Sequence, residues 1–335
     1  MAFKLLDLRI VIGKLEVTAG TAETLTAADF NTRCFAPEVS PIFEVDDEGA
    51  KFATGDHGET TSIIGAQSGT ISFTEKLAWG GAVTTIPNWF KWFNACGYET
   101  QTYTSTGIGL WPKKSCDCQS MTMWVIDIDR CYNPKGLAYK FAGCVGTVEF
   151  GCDGIGKPIS AKFTFTGKLT EIADLSKQDL EALNVLTSPD TELPDKLLNT
   201  TLTFGATSFK ISSYKLTAGN AVTPIINQAD VTGYDTYGIS ARKPRFSCNP
   251  LAGNLSSNEM DNVYTRITEE TTGALVLTMQ NMIIKAPVAQ LLSATVANRE
   301  GLVSWDENWK LCRNGTSDSD LDDECTHEIL IGTKS

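Results

Sequence analysis

The chain has 335 residues, 42% hydrophobic and 20% charged, enough for two domains that each bury a core, and this composition excludes a disordered or fibrous protein. Its formal charge is −12, from 28 Lys and Arg against 40 Asp and Glu. That sign argues against a protein that gains affinity by neutralising phosphates.

The opening MAFKLLDLRIVIGKLEVTAG breaks its apolar run at Asp7, Arg9 and Lys14, so it lacks a signal-peptide core and reads as a strand. With no window of eighteen apolar residues, the expectation is a soluble protein made in a cytoplasm, without a membrane anchor. Further strands are expected at PIFEV, GTISFTEKL, MTMWVID, AYKFAGCVGTVEF and ISAKFTFTGKL. Several alternate apolar with polar residues: Phe163 and Phe165 point one way, Thr164 and Thr166 the other. Between them PNWFKWFNACGY (87–98) predicts a short helix. Pro87 suits its first turn and Gly97 the residue past its end, while Trp89, Trp92, Phe93 and Cys96 recur at helical spacing. Such a helix covers one face of a sheet.

From residue 200 the order returns. YGISARKPRFSC (237–248) stands where SIIGAQSGTISF (62–73) stood, and SSNEMDNVYTRIT predicts a second helix. That helix has a capping box from Ser256 to Glu259 and an apolar face of Met260, Val263, Tyr264 and Ile267. GALVLTM then answers MTMWVID, MIIKAPVAQLLSATV answers AYKFAGCVGTVEF, and GLVSWDENWKLC answers KPISAKFTFTGKL. The expected fold is mainly β, with two tandem domains of sandwich or barrel type, each flanked by one short helix. Their bounds are 1–170, with an insertion at 99–120, and 200–335, which ends in an acidic segment. The polar stretch 171–199 between them reads as a linker, with a short helix at KQDLEALNVL.

No catalytic constellation emerges. His57 and His327 are the only histidines, and no G-x-S-x-G elbow is present. GCDGIGKP (151–158) nearly matches a phosphate loop, but Pro158 replaces the Ser or Thr and a strand follows, so it reads as a hairpin turn. Cys116, Cys118 and Cys131 are weak metal candidates, because C-x-C without a second pair is not diagnostic. The ten cysteines sit singly, often within apolar strands, and read mostly as reduced, buried thiols. SDSDLDDE (317–324) lacks the glycine and the closing glutamate of a calcium loop and reads as a solvated acidic loop. The sequence therefore predicts neither an enzyme nor a cofactor.

GETTSIIGAQSGTISFTEKL, then IPNWFKWFNACGY, then AYKFAGCVGTVEFGCDGIGKPISAKFTFTGKL resembles the major tail tube proteins of long-tailed (siphovirus-like) bacteriophages. ISARKPRFSCNPL before a helix, followed by IIKAPVAQLLSATVANREGLVSWDENWKL, resembles the same family a second time. The resemblance covers roughly residues 39–170 and 200–313 and implies a duplicated tube domain, with sheets that join around a ring and rings that stack into the tail tube of a virion. Double-stranded DNA would pass through without specific binding. Two domains per chain would give a homotrimer with pseudo-sixfold symmetry. The implied partners are further copies of the chain, the tape measure, the tail terminator and the distal tail protein.

Physical chemistry agrees with the resemblance at three points. A closed ring satisfies open strand edges, an acidic chain does not hold passing phosphates, and the polar loop 51–62 suits contacts between rings. Within that loop the inter-ring candidates are Thr54, Gly55, Asp56, His57, Gly58 and Glu59. Two alternatives stay open: another virion or injection-machine component, such as a baseplate or capsid-decorating protein, and a carbohydrate-binding or adhesive β protein that uses exposed aromatics such as Trp111.

Overall fold

The computed structural model describes residues 9–30, 34–46, 63–79, 86–103, 107–113, 118–129, 134–186, 193–252, 259–313 and 328–333. The protein is mainly β. Among the described residues a 16-stranded antiparallel sheet and a two-stranded one account for the strands, with three short α-helices around them.

The first half contributes β1 (Arg9–Leu15), β2 (Cys34–Asp46), β3 (Ile63–Lys76), α1 (Phe90–Asn94), the hairpin β4 (Tyr98–Tyr103) and β5 (Gly107–Pro112), then β6 (Met121–Asp129), β7 (Lys135–Cys152), β8 (Ser160–Leu175) and α2 (Lys177–Ala182). Its pairing runs β1, β6, β7, β8, β3, β2. The second half contributes β9 (Thr201–Phe204), β10 (Thr207–Phe209), β11 (Tyr214–Thr217), β12 (Asn220–Ile226), β13 (Tyr234–Arg242), β14 (Arg245–Cys248), α3 (Glu259–Thr268), β15 (Thr272–Thr278), β16 (Met282–Arg299), β17 (Leu302–Cys312) and β18 (Leu330–Thr333). Here the pairing runs β9, β15, β16, β17, β14, β11, the same sequence of roles. The β12–β13 hairpin forms the separate two-stranded sheet.

Apolar alternation fixes the face each strand buries. Ile71, Phe73, Val148, Phe150, Phe163 and Phe165 are all at most 2% exposed, while their polar neighbours point the other way. Over this apolar face lies α1. Trp89, Phe90, Trp92 and Phe93 are buried, and Trp92 and Phe93 meet Phe73 and Phe163 edge-on at 5.0 and 5.3 Å between ring centroids. Gly13 of β1 makes room for this, because a Cβ there would stand 2.7 Å from the Trp92 ring. The helix is shorter than the 87–98 stretch but stops where expected, with Gly97 at φ +79° just beyond it.

In α3, Val263 is buried; the side chains of Met260 and Tyr264, and residue Ser256, lie outside the described residues. Ile267, expected on the inward face, is 37% exposed. Arg266 takes the inward place, stacked over Phe204 and Phe209 at 5.3 and 5.0 Å. An amphipathic arginine can fill that space with its stem and satisfy two ring faces with its head.

The stretch expected as a linker is largely bound to the first half. Residues through Leu175 belong to β8, and α2 starts at a capping box in which Ser176 and Asp179 bond each other's backbone amides. Leu180 of α2 packs with Ile12, Ile126 and Leu175. The insertion also has a place: β5 pairs with β18, which pairs with the start of β16, so the end of the chain ties the β4–β5 hairpin to the second half.

Candidate functional site: polar face, open edges and buried polar groups

Eight strands follow one another in the sheet in the order β16, β17, β14, β11, β7, β8, β3, β2. The two halves meet in this run where β11 pairs with β7, from Tyr214 opposite Cys152 to Thr217 opposite Glu149. Tyr214, Leu216, Phe150 and Cys152 are buried there, so the junction is both a hydrogen-bonded ladder and part of the core. Asn220 pins it from the side, its Nδ2 donating to the carbonyls of Cys96 (2.7 Å) and Gly146 (2.9 Å). Beyond the ladder the β12–β13 hairpin lies against β7. Its Ile239 and Tyr237 bury themselves on Val145, and Lys168 of β8 binds Asp230 near its tip at 2.8 Å. That ion pair and two hydrogen bonds from Thr232 hold the Asp230 carboxyl down at about 2.

On the face of the run opposite the core stand hydroxyl residues such as Thr70, Ser72, Thr164, Thr166, Thr217 and Ser247. Its charged positions carry both signs: Glu38, Glu149 and Asp306, with Lys162, Lys215, Arg245 and Lys310. The net charge of −12 is therefore not concentrated here, contrary to the simplest reading of an acidic chain.

Among the described residues four carboxylates are buried, Glu16, Glu75, Asp127 and Glu307; Asp127 pairs with Arg9 at 2.6 Å, and Glu16 and Glu307 bear on the loops and helix around the sheet. Glu16 accepts hydrogen bonds from the Ser120 and Thr122 hydroxyls and from the amides of Gly20 and Gly143, four donors that lock the loop after β1 onto β6 and β7. Glu307 of β17 accepts from Trp309 Nε1 at 3.0 Å and lines a small notch with Val263, Arg266 and Trp305; burial pushes its carboxyl above the usual range. The Cys248 thiol lies beside Glu307, its Sγ 3.7 Å from Oε2. Burial likewise raises the thiols of Cys34, Cys96, Cys144 and Cys248, which keeps them protonated and poorly reactive.

Among the described residues no group of three or more His, Cys, Asp or Glu is placed to hold a metal ion. Cys118 is half-buried near Gly97, while Cys116 and Cys131 lie outside the described residues. So do both histidines, the acidic stretch 317–324, and the loop candidates Thr54, Gly55, Asp56, His57, Gly58 and Glu59. The segment 151–158 is the turn between β7 and β8, with Gly156 at φ +75°. Trp111 is a correction: at 3% exposure in β5 it offers no sugar a stacking face.

Sequence reasoning missed the junction itself. Its residues read only as strand, and a local pattern does not name its partner across the sheet. No protein-family model matches the chain, and no curated protein matches it.

Proposed function

We propose that this protein is a structural, non-enzymatic subunit that assembles with copies of itself into rings, and that the rings stack into the tail tube of a bacteriophage virion. The observation that carries this reading is the repeated pairing order, β1-β6-β7-β8-β3-β2 and β9-β15-β16-β17-β14-β11, joined through β7 and β11 into one sheet. Two tandem tube-like β domains, one sealed by α1 and the other by α3, account for it.

A ring of three chains then has pseudo-sixfold symmetry, and the hydroxyl-rich face, of mixed charge, is suited to line the channel. Such a face offers passing double-stranded DNA hydration without a net basic field to hold its phosphates. The tape measure, tail terminator and distal tail protein are proposed partners on the resemblance alone.

Electron microscopy of the purified protein, with its solution mass, tests the reading. Stacked rings of three chains support it; six chains per ring would keep the tube and remove the pseudo-sixfold arrangement. A monomer at every concentration that also fails to add to pre-formed tail tips would refute it.

A further inference from the structure

The internal junction shows how one tube-like half receives the next, and the same two surfaces recur unoccupied at the ends of the eight-strand run. In the first half the distal part of β7 receives β11, the strand that occupies the place of β2 in the second half. The distal part of β16 corresponds to the distal part of β7. It pairs with β17 on one side, and its other side, beyond the end of β15 pairing at Gln290, meets no strand among the described residues. The outer edge of β2 is likewise unpaired among them.

Exposure separates the occupied surfaces from the open ones. In the β12–β13 hairpin, Val222 opposite Ile239 packs on Val145 at the bulge of β7, and Ile239 is 6% exposed. The matching pair on β2 and β3, Val45 opposite Ile64, is 55% and 65% exposed. At the bulge of β16, Leu292 is 45% exposed and Val296 beyond it 65%. Large apolar side chains thus stand out at both open edges, where their counterparts inside the chain are covered.

We propose that β2 of one copy adds antiparallel to residues 295–298 of β16 in the next copy, with Val39 opposite Val296, and that Val45 and Ile64 then cover Leu292. The register follows from the internal ladder. Leu216 faces Phe246 as Val39 faces Ile71, and Phe150 and Val296 each lie two residues past the one that faces Phe163 or Glu307. Leu216 opposite Phe150 therefore becomes Val39 opposite Val296.

The backbone groups face the right way. Trp305 gives its N–H to Pro250, away from β16, so its cross-strand partner Val296 also turns its N–H and C=O outward. Gln67 gives its N–H to Thr232, away from β2, so Phe43, and by alternation Val39, turn theirs to the open edge. Pro41 faces the same edge and offers only a carbonyl there. The proline bars indiscriminate strand addition and leaves Val39 to exchange both bonds with Val296. Because the two surfaces differ, the contact is heterologous, and repeated head to tail it gives a ring where the rotation between copies closes.

The test uses the full chain with Glu38→Cys and Ala297→Cys, which the register sets opposite each other in a non-hydrogen-bonded pair on the polar face. Mild oxidation is expected to give a covalent ladder on denaturing gels, ending at the ring size. Neither single variant, nor Glu38→Cys with Asn298→Cys on the opposite face, should give it; the single variants also report any crosslinks from native cysteines. A second variant, Ile64→Lys, changes an exposed side chain and should keep the melting temperature. It should raise the concentration needed for assembly by about tenfold or more, the equivalent of about 1.4 kcal/mol. The proposal builds on the assembly reading, but the two fail separately. Rings or tubes without the crosslink would overturn this interface and keep the tube, whereas crosslinked rings that never stack would keep the interface and remove the tube. A protein that stays monomeric, never crosslinks and fails to add to pre-formed tail tips overturns both.

Discussion

The two halves pair their strands alike but close their cores differently. In the first, five helical residues, with Trp89 just before them, put four aromatics into the interior; Trp92 and Phe93 are wholly buried. In the second, α3 has ten residues, and of its described side chains Val263 and Arg266 are buried while Ile267 stays out; the strand beneath carries the buried acid Glu307. One helix is a dry aromatic plug. The other is a longer amphipathic cover over a notch lined by Arg266 and Glu307. The difference teaches that the pairing order does not dictate how its apolar face is sealed, so the halves are expected to differ in local stability and in response to pH.

Truncating the plug should cost most. Trp92→Ala is expected to lower unfolding free energy by about 3–5 kcal/mol in denaturant titration, since the cavity would open between Gly13 and Phe73. Val263→Ala should cost about 2 kcal/mol, combining lost methyl burial with a smaller cavity. Equal losses would erase the distinction between plug and cover.

The buried acid gives the comparison a pH axis. Burial raises the Glu307 carboxyl, so across the interval between its unfolded and folded pKa the native state holds a proton that the unfolded chain has released. Its contribution is complete below the ordinary glutamate pKa and is lost as pH rises through the raised value. Glu307→Gln should flatten that fall, whose slope within the interval is roughly 1.4 kcal/mol per pH unit. Melting curves for variant and parent that run parallel from about pH 4 to about pH 8, which spans the ordinary glutamate pKa and the region above it, would exclude Glu307 as the source.

The smallest effect is expected at the seam between halves. Lys215 and Glu149 form a 2.8 Å ion pair across the β7–β11 ladder, but both side chains are substantially exposed, at 53% and 43%. Lys215→Ala should cost less than about 0.5 kcal/mol. A larger loss would show that the seam depends on charge as well as on its buried Leu216 and Phe150.

How much was legible follows from the range of each signal. Alternation in FTFTGKL is local, so this strand and its buried face could be read directly, as could Trp89, Trp92 and Phe93 by helical spacing; MTMWVID reads as a strand, but both of its faces are buried, Met123 and Val125 on one and Thr122 and Ile126 on the other. Phe90 escaped that spacing because α1 is enclosed on more than one side: Trp79 meets Phe90 at 5.2 Å from beyond the sheet-facing stripe. The short helix expected at KQDLEALNVL starts at Lys177, just after the Ser176 of its capping pair with Asp179, whereas the anchoring of Leu180 in a distant cluster could not be seen in so polar a stretch.

By itself, then, the sequence determined a mainly β chain that repeats one order of strands and helix, because turns, caps and periodicity act over a few residues. Tertiary structure alone decided that Trp111 is covered, that Arg266 displaces Ile267 from the interior, and that β11 adds to β7. Each of those outcomes depends on which surfaces remain free once the rest of the chain has folded, and a strand edge carries no local mark of the edge it will meet.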